Sequence, residues 1–345
     1  MQTNGILTQA AMTGSAFALS LALTFGAAAQ SQTYVMKVTL PTINDTVHQA
    51  AKNFAAAVEK DSGGRIKGEV YPASQLGAIA RQIEGTQFGA IQAAMIPPEF
   101  FVGVDERFEV MAAPGLTDSL MHGQRVAADP EVLKLMLSLG ANKGLHGAGL
   151  FMATPSHVIA KKPIRRLEDF KGKKLRIFAS DFQFESLKRL GATPVAMTLG
   201  DVLPAIQQGA IDGAIAALNV FVPMQFQDAA KYVTETNQPA IFIILEINRR
   251  WYEALPQDLR QVVDKAAARE AVAVNQGATE FVEKMKGLWV ERGGELISLP
   301  ADDQAAMMKT LASVGTDISK SKPALAAAYK VVTDAASRAR QSASR

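Results

Sequence analysis

The sequence contains no cysteine among its 345 residues. This absence excludes disulfide bonds, thiolate nucleophiles and metal sites built on cysteine. Four histidines occur, and none stands at the spacing of an H-x-x-x-H or H-E-x-x-H metal motif. The sequence also lacks a P-loop and a G-x-S-x-G nucleophile motif. We therefore predict a protein that is not an enzyme, with no catalytic residues, no metal site and no cofactor.

A large excess of charge of either sign is missing as well. The chain has 36 lysines and arginines against 33 aspartates and glutamates, so its formal net charge is +3. The locally basic residues 161–176 lack the interleaved aromatics of a single-strand binder. We predict no nucleic-acid partner. The composition, 48% hydrophobic and 20% charged, is typical of a soluble globular protein, and the length suffices for two domains.

Apolar runs of the roughly 20 residues that a membrane span needs are absent. Residues 16–25 form a shorter apolar run, and small residues suited to signal-peptidase cleavage follow at 26–30. We therefore predict that residues 1–30 are a signal peptide and that the protein is exported. The usual basic start of such a peptide is missing, because residues 1–30 contain no lysine or arginine. An N-terminal arm on a cytoplasmic protein is the alternative.

Strand and helix patterns alternate over residues 167–213. A short β-type run encloses Arg176, and an amphipathic helix pattern follows over residues 181–190 until Gly191, a favourable helix C-cap. A second strand and helix come next. Such alternation predicts an α/β fold with a parallel sheet, and parallel sheets bind ligands at the carboxyl ends of their strands.

Arg176 is the candidate anchor for a ligand. A guanidinium at a sheet edge is a fork that matches a carboxylate. The alternative is a solvated basic face, since Lys171, Lys173 and Lys174 stand just before Arg176 and charged residues are mostly exposed.

Four segments carry a family resemblance. The order L-E-D-F-K-G-K-K-L-R, L-G-A-T-P-V and G-A-I-D-G within residues 167–213 resembles the DctP-type solute-binding protein of tripartite ATP-independent periplasmic (TRAP) transporters. Residues 54–77 (ending in YPASQLG), 231–237 (KYVTETN) and 251–262 (WYEALPQDLRQV) are similar to further segments of that family. The resemblance covers about residues 32–335.

The resemblance implies a two-lobe periplasmic binding protein fold, type II-like, with a long helix spanning both lobes. It implies an organic acid as ligand, held bidentately at its carboxylate by Arg176. It also implies periplasmic localisation and, as partners, the small and large integral-membrane permease subunits. The helical pattern runs from Pro256 to about Arg292, interrupted only by Gly277 and Gly287, so one bridging helix or two kinked helices are possible; we adopt the bridging helix.

We expect discontinuous lobes. Residues 31–153 with 242–281 form lobe I, residues 154–241 with 282–335 form lobe II, and residues 336–345 form a polar C-terminal tail.

Departures from the family pattern indicate the character of the pocket. Ser156 and His157 stand where many members have a second arginine, and Ala216 stands where many have an asparagine, for which Asn219 is a shifted substitute. Leu199 occupies a site that is often aromatic. Ile241 and Phe242 are apolar, whereas the family has a polar position near this point of the chain. Besides Arg176, the predicted substrate-binding residues are Asn44, Phe100, Ser156, His157, Phe178, Leu199, Ala216, Asn219 and Phe242.

A pocket with few polar groups satisfies few ligand hydroxyls, and unpaired polar groups in a closed site are costly. We therefore predict a relatively apolar monocarboxylate, an aromatic or 2-oxo acid. For any single phenylalanine, a plain core position is the competing interpretation. A sensory binding protein of the same fold that feeds a receptor, and an exported α/β enzyme, are the alternative functions.

Overall fold

The computed structural model describes residues 32–274, 276–320 and 322–343. The predicted signal peptide, residues 1–30, lies outside the described residues. Among the helices that are described, none is both long and apolar enough to cross a membrane.

The described strands form two mixed sheets. The strands are, in chain order, β1 (Tyr34–Thr39), β2 (Ile66–Tyr71), β3 (Ala93–Ile96), β4 (Leu145–Pro155), β5 (His157–Ala160), β6 (Lys174–Ile177), β7 (Thr193–Ala196), β8 (Gly213–Ala216), β9 (Tyr232–Thr234), β10 (Ala240–Asn248) and β11 (Glu295–Ile297). The first sheet has the order β2-β1-β3-β10-β4, and the second has the order β11-β9-β5-β8-β6-β7. The predicted two-lobe α/β fold is confirmed.

Helices cover the sheets. They are α1 (Thr46–Asp61), α2 (Ile79–Phe88), α3 (Leu120–Ala127), α4 (Pro130–Ser138), α5 (Asp181–Arg189), α6 (Leu199–Gln207), α7 (Leu218–Phe221), α8 (Arg249–Ala254), α9 (Gln257–Ala273), α10 (Ala278–Glu291), α11 (Ala301–Leu311), α12 (Val314–Ser319) and α13 (Pro323–Ala343). Short 3₁₀ helices lie at Pro98–Phe101, Glu106–Ala112, Ala141–Lys143, Leu167–Phe170 and Phe226–Asp228.

Strand β10 lies in the middle of the first sheet. It is antiparallel to both β3 and β4, and each of its nine residues is buried. Because successive side chains of a strand point to opposite faces, its residues divide between two cores. Phe242 and Ile244 belong to one core, and Ile241 and Ile243 belong to the other. Both faces of the sheet are therefore covered, as the unbroken apolar pattern of β10 requires.

Strand β6 lies inside the second sheet, between β7 and β8, and is parallel to both. Arg176 is paired in register with Val195 of β7 and Ala214 of β8. The chain then turns at Ser180, whose hydroxyl accepts the backbone N–H groups of Phe182 and Gln183 and so caps α5. Arg176 is thus held at the carboxyl end of a central strand.

Two short crossover segments join strands of the two sheets directly, in addition to the helical segment that follows β10. Strand β4 passes to β5 through Ser156, and β9 returns to β10 through residues 235–239. The Ser156 backbone N–H and hydroxyl both donate to Pro239 O, at 3.1 and 2.5 Å, and Thr236 Oγ1 donates to Ser156 O at 3.4 Å. The two crossovers are therefore joined side by side at the boundary between the sheets.

The predicted single bridging helix is instead two helices. Helix α9 packs on α1 and β4, next to the first sheet, and α10 contacts α7 and β11, next to the second. Gly277 precedes α10 with a φ of 79°, a left-handed conformation that ends a helix and that glycine adopts without steric cost. The segment crosses from one sheet to the other as expected, but the prediction of one continuous helix is wrong.

The predicted polar tail at residues 336–345 is also wrong over its described part. Helix α13 continues to Ala343, and Ala336 and Ala339 are buried in the core beside α3 and α4. Arg338 pairs with Asp129 at 2.9 Å. Small alanines between charged residues form one buried stripe at helical spacing, and this stripe was overlooked in a segment that is polar on average. Helix α13 thus packs against α3 and α4, which lie beside the first sheet. Part of α13 had been assigned to lobe II.

Candidate functional site

A cavity of about 50 Å³ lies between the two sheets, around Arg176. We call it the Arg176 cavity. The side of the first sheet contributes Pro41, Thr42, Asp45, Val47, Ile79, Met95, Pro97, Phe100, Ala153, Thr154, Ile241 and Ile243. The side of the second sheet contributes Arg176, Phe178, Leu199, Ala216, Asn219 and Val220.

The lining residues come from one edge of each sheet. They lie at the ends of β3, β4, β6 and β8 or in the segments that follow β1, β2, β3, β6, β7 and β8. Strand β10 begins at the same edge because it runs antiparallel. This is the edge at which α/β sheets bind ligands. The parallel strands of each sheet therefore bring together residues that are far apart in the chain.

Two backbone carbonyls fix the Arg176 side chain. Its Nε donates to Met197 O at 2.9 Å, and its Nη1 donates to Ile215 O at 3.1 Å. The guanidinium carbon lies 4.6 Å from the centroid of the Phe178 ring, a cation–π distance. These contacts orient the guanidinium and leave part of its five-donor fork without a protein partner.

Arg176 is a buried charge without a counter-charge. The residue is 1% exposed, and burial alone lowers its pKa to about 9. Within the described chain, no aspartate or glutamate forms an ion pair with it, in contrast to arginines such as Arg107 and Arg189. At neutral pH the guanidinium is still protonated, so the arrangement favours an anion entering the cavity.

The cavity walls are mostly apolar and partly aromatic. The Phe100 and Phe178 rings stack with centroids 5.3 Å apart and planes inclined by 23°, so one ring from each side of the cavity meets the other. Leu199, Ala216 and Ile243 are buried beside them. Such walls suit a ligand with an apolar body.

Four polar side chains besides Arg176 line the cavity: Thr42, Asp45, Thr154 and Asn219. Asp45 caps α1 by accepting the His48 N–H at Oδ1, at 2.8 Å. Burial raises the pKa of Asp45 to about 6, against the opposing effect of the His48 N–H. Asn219 Nδ2 donates to Thr46 Oγ1 at 3.4 Å, which links α7 beside the second sheet to α1 beside the first.

The structure brings six of the ten predicted binding residues to the cavity, namely Arg176, Phe100, Phe178, Leu199, Ala216 and Asn219. Sequence reasoning missed Thr42, Asp45 and Thr154 among the polar residues. A signal was available for them, since Thr42 and Asp45 follow the strand-like residues 34–40 and Thr154 follows the strand-like residues 147–153. The carboxyl ends of strands are where α/β sheets place ligand contacts.

The other four predicted residues lie elsewhere. Ser156 uses its hydroxyl to join the crossovers, and His157 is buried in β5, where desolvation lowers its pKa to about 4. Phe242 faces the opposite side of β10 from Ile241 and Ile243, because a shift of one residue along a strand reverses the side-chain direction. Asn44 is exposed and lines a separate surface depression beside α1.

Comparison with known proteins gives one family. The family model described as bacterial extracellular solute-binding protein, family 7 (DctP) matches residues 38–321. The chain is 30% identical over 311 residues to the C4-dicarboxylate-binding periplasmic protein DctP of Rhodobacter capsulatus, which covers 88% of this chain and 92% of that protein. It is 29% identical to the uncharacterized protein YiiZ of Salmonella typhimurium over 61% of this chain and 64% of the relative's length.

A solved structure shares the fold. The TRAP periplasmic solute-binding protein of Desulfovibrio salexigens, crystallised with bound orotic acid, superposes with a TM-score of 0.84 over 89% of this chain and 99% of that one, at 21% sequence identity.

Proposed function

The chain belongs to family 7 of the bacterial extracellular solute-binding proteins, the DctP family, and from this premise we propose that the Arg176 cavity captures a relatively apolar monocarboxylic acid, such as an aromatic or 2-oxo acid. Proteins of this family bind organic acids in the periplasm for TRAP transport and are transport proteins rather than enzymes. The choice of ligand within that class is the proposal.

The unpaired, buried guanidinium of Arg176 is the observation that carries the proposal. Its cavity contains a single arginine, and the other lining residues are mostly apolar. One fork binds one carboxylate bidentately. A second carboxylate would stand against apolar walls and pay the cost of burying an uncompensated charge. This favours a monocarboxylate, although the Rhodobacter capsulatus relative is named for C4-dicarboxylates.

Capture requires the two sides of the cavity to come together around the acid. Arg176 is on the side of the second sheet, whereas twelve of the lining residues are on the side of the first. The Asn219–Thr46 hydrogen bond and the Phe100–Phe178 ring contact join the two sides. In this proposal the lobes open at the paired crossovers, admit the acid, close over it by a hinge motion and deliver it to the small and large permease subunits.

A thermal-shift screen of the mature protein against a library of carboxylic acids tests the proposal. A ligand at 100 times its Kd adds about 2.7 kcal/mol to the free energy of unfolding, so binders raise Tm by several degrees. We expect aromatic or 2-oxo monocarboxylic acids among the binders. In Arg176→Met, which keeps a long apolar side chain but removes the charge, those shifts should disappear.

Arg81→Ala is the matched control, because Arg81 is an exposed arginine whose only ion-pair partner among the described residues is Glu84. It should keep the full set of shifts. Binding confined to sugar acids or dicarboxylates would contradict the proposed ligand class, and shifts that survive in Arg176→Met would contradict the proposed anchor.

A further inference from the structure

We infer that the ligand carries a hydrogen-bond donor, a hydroxyl or an ammonium group, besides its carboxylate, and that Asp45 is the residue that accepts it. This inference rests on the proposed function, because it takes the Arg176 cavity as the binding site. It goes further by giving the acid a second polar group and by assigning that group a partner on the opposite side of the cavity.

The two oxygens of Asp45 have different environments. Oδ1 accepts the His48 N–H and caps α1, whereas Oδ2 is buried and has no partner within hydrogen-bond distance among the described residues. The residue is 3% exposed and lines the Arg176 cavity. A helix cap needs one oxygen, so the cap explains why Oδ1 is placed there and leaves Oδ2 without a structural task.

Two more oxygens in the cavity are also buried without a hydrogen bond to the described residues. Thr42 Oγ1 and Asn219 Oδ1 are buried, neither has a hydrogen-bond partner in the described ranges of the chain, and both residues line the cavity. The Asn219 amide nitrogen is directed to Thr46 Oγ1, which leaves the amide oxygen for another partner. A carboxylate and an amide oxygen can only accept hydrogen bonds, whereas the Thr42 hydroxyl can also donate, and the Thr42 side chain lowers the pKa of Asp45 against the larger, raising effect of burial. Asp45 Oδ2 and Asn219 Oδ1 are therefore the acceptors in the cavity for which the described residues place no donor within hydrogen-bond distance.

The charges of the cavity lead to the same requirement. Arg176 and Asp45 form no ion pair with each other or with other described residues, although both line one small cavity. An acid with a hydroxyl or an ammonium group would satisfy both, its carboxylate at Arg176 and its donor at Asp45. An unsubstituted or 2-oxo acid would leave Asp45 Oδ2 desolvated and unpaired, which is the costly arrangement for a buried polar group. Within the proposed class of relatively apolar monocarboxylic acids, the donor requirement thus favours hydroxy or amino acids over 2-oxo acids.

A matched ligand series tests the inference by calorimetry at neutral pH. The series is 4-methylpentanoate, its 2-oxo, 2-hydroxy and 2-amino derivatives, and the corresponding 3-phenylpropanoate set. We expect the hydroxy or the amino acid to bind at least about tenfold more tightly than the unsubstituted and oxo acids of the same skeleton. The reason is that leaving a buried acceptor without a hydrogen bond lowers affinity by about tenfold or more. The comparison of the hydroxy with the amino acid identifies the donor.

Asp45→Asn and Thr42→Val separate the contributions. Asparagine caps a helix as well as aspartate does, so Asp45→Asn keeps α1 while removing the charged acceptor. It should reduce the preference for the donor-bearing acid to less than about threefold, whereas Thr42→Val should retain most of it. Equal or tighter binding of the oxo or unsubstituted acid by the wild type would overturn the inference, and so would an unchanged preference in Asp45→Asn.

The proposed function fails in a different way. If Arg176→Met binds the whole series as tightly as the wild type does, the anchor is wrong and the inference about Asp45 falls with it. If Arg176→Met loses binding while the oxo acid is preferred, the proposed function stands and only the donor requirement is wrong.

Discussion

Two regions of this protein bury ionisable side chains that have no ion-pair partner among the described residues. The two regions differ in how the desolvation cost of a buried charge is avoided or offset. In the first, which comprises Glu246 in β10 and Glu99 in the 3₁₀ helix after β3, both residues are 0% exposed, and neither carboxyl group has a hydrogen-bond partner in the described part of the chain. In the second, the Arg176 cavity, a guanidinium lacks a counter-charge. Burial raises the pKa of Glu99 to about 8 and raises the pKa of Glu246 well above its usual value.

The difference follows from proton chemistry. A buried carboxylate can become neutral by binding a proton, and with a pKa of about 8 Glu99 does so at neutral pH without an external partner. Burial shifts the pKa of Glu246 in the same direction. Arg176 has a pKa lowered to about 9 and is still charged there. Because losing its proton is not an available solution at neutral pH, it requires an anion. The comparison teaches that burial alone does not identify a binding site; the site is where the buried charge persists beside an open cavity.

Replacement of the guanidinium by an amine should have the largest effect on binding. Arg176→Lys keeps the charge, but it loses the planar fork that two carbonyls, Met197 O and Ile215 O, hold in place. We expect the affinity for the carboxylic acid ligand, measured by calorimetry, to fall by about tenfold or more. Wild-type affinity in Arg176→Lys would show that a point charge suffices and that the fork geometry is irrelevant.

Glu99 should produce the next effect, on stability rather than on binding. Its pKa is about 8 in the folded protein against an ordinary value of 4.5, because of burial and, secondarily, the charge of Glu109. Between these two values unfolding releases a proton, so the stability contributed by neutral Glu99 is present at low pH and is lost as the pH rises toward 8. Glu99→Gln removes this dependence.

Thermal unfolding of wild type and Glu99→Gln across that pH range checks the prediction. We expect the variant to gain at least about 2 °C in Tm relative to wild type at the alkaline end, and little at the acidic end. Ligand affinity should stay within about twofold, since Glu99 does not line the Arg176 cavity. A parallel pair of pH curves would show that Glu99 is not buried in its neutral form.

Adjacent residues of β10 should give the smallest and most specific contrast. Ile243 lines the cavity, whereas Phe242 packs in the core on the other face of the strand. Ile243→Val should change the relative affinities for small and large acids by about fivefold, the lower end of the range of about 1–3 kcal/mol that one methylene in a pocket is worth. Phe242→Leu should lower Tm and leave those ratios unchanged. The reverse outcome would restore Phe242 to the site and exclude Ile243.

Local patterns were sufficient to predict the α/β architecture and Arg176. The β-type run around Arg176 is β6, and the helix ending at Gly191 is α5, because apolar spacing and a glycine cap act within a few residues. The division of the helical segment after Pro256 was not predicted, since Gly277 is compatible with either a continuous or an interrupted helix until packing decides.

The rest of the site depends on contacts that the sequence does not encode locally. Phe242 was chosen instead of Ile243 because the face of a strand depends on its register against β3 and β4. Ser156 was assigned to the pocket, although its hydroxyl joins a crossover 83 residues away in the chain. Asp45 has the pattern of a helix cap, and only the tertiary structure shows that its second oxygen lines the cavity.

A crystal structure of the protein with its tightest-binding carboxylic acid tests the central claim most directly. The account predicts both carboxylate oxygens at about 2.7–2.9 Å from guanidinium nitrogens of Arg176, inside the cavity between the sheets. A carboxylate bound away from Arg176, or Arg176 paired with a carboxylate of the protein itself, would contradict the account.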